Sequence, residues 1–168
     1  DTFEMMKVID INTILERCIY KVTFCIQRYK EDAYTPMAIS IGPFHPNHPR
    51  LCDMEIYKLS YCKAFLRRTQ TTSGSWNHYI KEVEPYFPRF YSNTIDEFSK
   101  EELIKMIFVD SSLIFENFCR SYNKKFSTKA LPDSVITDSL LLENQFPFSL
   151  LQTLFDKFFP KRSNDDIP

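Results

Sequence analysis

The stretch SKEELIKMIFVDSSLIFENFCRSY, residues 99–122, decides the fold. Ser99 followed by Glu102 is a capping box, in which hydroxyl and carboxylate satisfy free N–H groups of a helix's first turn. Behind it Leu103, Met106, Ile107, Leu113, Ile114 and Phe118 recur at helical spacing along one side. No Gly or Pro interrupts the run. The spacing predicts a helix over about 100–122, the spine against which the rest must pack.

Working outward, Asp53 is placed to cap a helix running to about Arg68. Its expected inner face is Met54, Tyr57, Leu59, Tyr61 and Phe65, with Lys58, Lys63 and Arg67 outside. Residues 69–75 read as a polar linker and 76–83 as a short helix stopped before Pro85. The aromatic stretch Tyr86, Phe87, Phe90, Tyr91 follows. Residues 34–50 hold Pro36, Pro43, Pro46, Pro49 and Gly42, and must run as an extended loop. A short strand fits at 38–41, and 18–26 reads as either a short strand or the start of a buried helix. Residues 2–17 read as an amphipathic helix.

Downstream, 123–132 is a basic loop with Lys124, Lys125 and Lys129. A helix is expected from Asp133 to near Gln145. A second is expected to start at Pro147 and bury Phe148, Leu151, Leu154, Phe155 and Phe158. The whole reads as a mainly α fold: one helical domain over 1–160 with an extended Pro-rich segment, room for two short strands, and a polar tail at 161–168.

Composition narrows the function. The chain has 168 residues and a net charge of −1, so it carries no chain-wide electrostatic footprint for nucleic acid. Its 16 Phe and 9 Tyr against 2 Gly imply an aromatic core or face with few tight hairpins. Five cysteines, an odd number with no C-x-x-C pair, read as thiols in a reducing compartment rather than a disulfide framework. The expected location is the cytoplasm or the cytoplasmic face of a membrane. No run of 18 apolar residues is present. The chain opens on Asp1 rather than Met and is expected to be a piece of a longer polypeptide.

Three constellations bear on chemistry. His45, His48 and Cys52 have the residue types of a zinc site. They sit among prolines, and the preferred reading is a loop with satisfied histidines, with no metal or other cofactor expected. Cys–His nucleophilic catalysis needs a thiolate, a base and an orienting group, and no cysteine has a local signature for it. Glu143-Asn144-Gln145 lies inside an apolar stretch. It reads first as a helix boundary whose side chains satisfy free backbone groups, and second as a contact point for a ligand. Asp110, near the apolar face of the central helix, is expected to pair with a buried cation or with backbone. No catalytic residue is singled out.

Two blocks and the helix between them resemble a known family. One block reads Ala33-Tyr34-Thr35-Pro36, then Ser40-Ile41-Gly42-Pro43-Phe44-His45, then Leu51, Met54-Glu55 and Lys58. The other is Leu140-Leu141-Leu142-Glu143-Asn144-Gln145-Phe146-Pro147-Phe148, with Met106, Asp110, Ile114 and Glu116 in helical spacing between them. In this order they are similar to the plant domain-of-unknown-function 247 family, DUF247, with Pro46 standing where the pattern has a second histidine. The resemblance implies the N-terminal portion of a longer domain whose members are often anchored in a membrane by a C-terminal segment. It implies no catalytic residues. It points to a non-enzymatic protein–protein recognition role, in self-incompatibility, defence or development, with another protein as partner. The alternatives are an uncharacterised hydrolase or transferase using His45, or a membrane-tethered scaffold lacking its anchor here. The oligomeric state is not readable.

Overall fold

The computed structural model describes residues 19–46, 51–91, 95–122 and 132–159, and of Cys52 and Asp53 only the backbone. The helix expected over 2–17, His48, the basic loop and the polar tail lie outside the described residues. In chain order the helices are α1 (Phe24–Gln27), α2 (Cys52–Thr69), α3 (Ser73–Val83), α4 (Lys100–Tyr122), α5 (Asp133–Asp138) and α6 (Phe148–Phe158). Short 3₁₀ segments occupy Glu31–Ala33 and Glu84–Phe90. The fold is mainly α, and among the described residues no strand forms. At 18–26 one parallel bridge joins Ile19 to Tyr91 before the chain enters α1. At 38–41 no strand pairing forms, and the N–H groups of Ala38, Ile39 and Ile41 bond to side chains instead.

The capping box starts α4. The Glu102 carboxylate accepts from the Ser99 N–H and from its hydroxyl at 2.8 Å each, and the Glu102 N–H returns a bond to Ser99 Oγ at 3.3 Å. Leu103, Ile107 and Leu113 are buried, whereas Phe118 is 72% exposed near the helix end. Helix α2 begins at Cys52, with Leu51 rather than Asp53 at the cap position. Leu51 is buried, and its apolar side chain draws the chain into the helix early. Helix α3 begins earlier than expected because the Thr72 hydroxyl accepts from the Ser75 N–H.

Two expected faces are corrected. On α2, Lys58 points inward with Cys62 and Phe65, while Tyr57 and Leu59 are exposed. Positions 58, 62 and 65 form a true 4-then-3 stripe, and Tyr57 lies about 100° around the helix from it. On α6, Leu150 and Leu154 are buried but Phe148 and Phe155 are exposed. Phe148 sits two residues, about 200°, from Leu150. The helix expected to reach Gln145 stops at Asp138. Beyond it, polar side chains capture carbonyls that a longer helix would have used.

The core joins α2, α3, α4 and α6 through rings. Phe65 and Trp76 are fully buried and meet edge to face at 5.3 Å between centroids. Phe158 of α6 stacks on Trp76 at 3.6 Å, and Phe115 of α4 lies against Phe65. A fully buried ring such as Phe65 contributes roughly 1.5–3 kcal/mol. A smaller cluster of Ile39, Leu113 and Val135 lies under the extended segment, backed by Met54 and Tyr61.

Candidate functional site

A chain held extended by prolines has backbone N–H groups with no helix to use them, and buried donors need acceptors. Here the acceptors are side chains. The Asp138 carboxylate accepts from Met37 at 3.0 Å, Ala38 at 2.6 Å and Ile39 at 2.8 Å. Asn144 works in both directions. Its Oδ1 accepts from the Ile41 N–H at 2.6 Å, and its Nδ2 donates to the carbonyls of Ile39 and Asp138 at 2.9 Å. The Gly42 N–H donates to Asp110 Oδ2 at 2.8 Å. Gly42 has φ +76°, and a Cβ there would lie 2.8 Å from the Gln145 carbonyl and 2.9 Å from the Tyr91 hydroxyl. That hydroxyl donates to the same carbonyl at 3.0 Å.

Below Gly42 lies an ion pair. Lys58 Nζ is 3.0 Å from Asp110 Oδ1 and 2.9 Å from Glu55. Burial works against the Lys58 charge, but the Asp110 and Glu55 carboxylates outweigh it and hold its proton above the usual lysine range. Further along α4, the buried Glu116 takes Arg68, also from α2, in a fork at 2.8 and 3.0 Å and Arg120 at 2.7 Å. Burial raises its pKa, yet the two guanidiniums more than reverse this and leave the carboxyl below its ordinary value. Arg120 also lies over the Tyr61 ring at 4.2 Å.

Glu143 is fully buried at the start of the turn before α6. One oxygen accepts from the Val22 N–H and, at 2.9 Å, from Gln27 Nε2. The other faces His45 Nε2 at 3.0 Å. Gln145 Nε2 donates to the carbonyls of Ser139 and Leu141. Phe44 stands edge-on to Tyr91 at 5.4 Å, Pro43 and Pro147 are buried, and Phe148 is exposed. Asp110, Asn144, Glu143 and His45, from three separate blocks, therefore meet along one extended segment.

A model of the family described as "Plant protein of unknown function", DUF247, matches residues 19–167. The chain belongs to the DUF247 family. Two UPF0481 proteins of Arabidopsis thaliana are similar to it. At3g02645 is 30% identical over 89% of this chain and 29% of its own length. At3g47200 is 30% identical over 82% of this chain and 31% of its own length. The chain thus spans under a third of these relatives. No solved structure matches it.

The motif residues of this DUF247 chain mostly bond its own backbone and one another. Among the described residues, no group of three or more His, Cys, Asp and Glu is placed to hold a metal ion. Of the three zinc candidates, His45 faces Glu143, while His48 and the Cys52 side chain lie outside the description. Cys62 donates to the Val109 carbonyl at 3.6 Å, and burial pushes its thiol up to about 11, away from the nucleophilic thiolate. A cavity of about 260 Å³ opens where α4, α5, the Asn144 turn and α6 meet. Leu113, Val135 and Leu151 line its apolar part, Asn117 and Gln145 its polar part, and exposed Phe118 also lines it. A groove of about 430 Å³ between α3 and α4 carries Lys81, Lys105 and Glu101 over Ile80 and Phe108.

Sequence reading missed Asp138, Arg68 and Arg120. A lone acidic residue inside the apolar run 135–142 was the available signal for Asp138.

Proposed function

We propose that this DUF247 chain is a non-enzymatic recognition module that binds another protein through an apolar surface around the 260 Å³ cavity. What supports the reading is the division of labour among its side chains. The buried polar groups hold the chain's own backbone, whereas Phe118, 72% exposed, stands at an apolar hollow with an uncharged polar rim. Protein interfaces seat aromatic anchors in such surroundings, depleted of charge at their centre. Membership of a plant family supports reading the partner as one of plant recognition, defence or developmental signalling.

Affinity capture from plant tissue, followed by titration of the captured protein against purified chain, tests this. Phe118→Ala should keep its thermal midpoint and bind the partner at least about ten-fold more weakly, as expected for an anchor residue. Equal affinity of both forms would count against the reading.

A further inference from the structure

Residues 20–35 leave the helical body and return to it. At one end Ile19, 6% exposed, donates its N–H to the Phe90 carbonyl at 2.9 Å. At the other, Pro36 is buried and the N–H groups of Met37, Ala38 and Ile39 are bonded to Asp138. Between these pinned ends no residue is buried, and Phe24 and Tyr29 are 77% and 78% exposed. Much of its backbone bonding is local, as from Ile26 and Gln27 to the Thr23 carbonyl and from Ala33 to that of Lys30.

Two donors of this segment converge on one acceptor. The Val22 N–H and Gln27 Nε2 both reach Glu143 Oε1, while Glu143 Oε2 faces His45. Lys21, next to Val22, is also engaged. A segment with so little buried apolar surface opens at far lower cost than a packed helix. The carboxylate narrows the gap further. Closed, it trades water for two protein donors and the facing His45 ring; open, it regains its hydration. We propose that residues 20–35 are a strap that opens as a unit about its two pinned ends, with Glu143 as the latch, and that opening uncovers the Glu143–His45 pair.

Native-state hydrogen exchange on the whole chain, read by NMR in rising denaturant, tests this. The Val22 amide should exchange with a shallow denaturant dependence. Ile19, Ile39 and Ile107 should exchange only through global unfolding. Gln27→Ala, a change at a half-buried surface position, should speed exchange at Val22 about ten-fold, the size of losing one bond to a charged acceptor, and leave Ile107 unchanged. The proposal fails if Val22 shows the same denaturant slope as Ile107, or if Gln27→Ala leaves its exchange rate unaltered.

Discussion

The ring cluster around Phe65 and Trp76 and the extended segment from Met37 to Gly42 are both buried, but different forces hold them. The first excludes water with hydrocarbon, and its partners are interchangeable within limits of volume. The second spends its stability on satisfying backbone donors, and each acceptor is specific. Burial alone therefore does not predict sensitivity to substitution. A core of rings degrades gradually as atoms are removed. A polar clamp fails abruptly when one member is lost, because what remains is buried and unpaired.

Helix α4 carries both kinds of position three residues apart, which allows the contrast to be broken or sharpened by experiment. The largest effect is expected at Asp110. Asp110→Asn removes almost no volume but leaves the buried Lys58 with the half-exposed Glu55 as its remaining carboxylate, and should cost about 4 kcal/mol in denaturant unfolding. A loss below about 1 kcal/mol would show that the clamp is no more demanding than the core. Asn144→Ala strands the Ile41 N–H and two carbonyls, with an expected cost of about 3 kcal/mol by the same measurement. Gly42→Ala should cost about 2 kcal/mol, since alanine is strained at this φ and its methyl collides with the Gln145 carbonyl. Ile107→Val, in the core region of the same helix, should cost only about 1 kcal/mol. If it exceeds Asn144→Ala, the comparison is reversed.

The smallest effect is on pH dependence. The folded-state pKa of Glu116 lies below its ordinary value of 4.5, so the unfolded chain binds its proton more readily. Its stabilising contribution is fully present above that value and is lost as pH falls through the folded one. The thermal midpoint of the parent chain should drop more steeply below about pH 4.5 than that of Glu116→Gln. Parallel curves would mean that the Arg68 and Arg120 contacts contribute nothing.

The same division explains what could be read from the sequence. Helix α4 was legible to within a residue because its cap and its spacing are local. The family blocks were legible as ordered letters. Lys58 was assigned to the outside because its partner Asp110 lies 52 residues away, and no local pattern reports such a partner. The end of α5 was placed too late for a related reason. Asp138 bonds an N–H 100 residues earlier in the chain, and Gln145 captures carbonyls that would have continued the helix. Faces set by packing could be sketched from periodicity, whereas positions set by distant hydrogen bonds could not.

The stack of Phe158 on Trp76 has a practical consequence. Trp76 is the one indole in 168 residues and is 0% exposed, so tryptophan emission from this chain comes from a single dry environment. One wall of that environment belongs to α6 and others to α2 and α4. Peeling α6 away would let water reach the indole and shift its emission to longer wavelength, even with α4 still wound. The molecule carries its own optical gauge of whether its last described helix is seated.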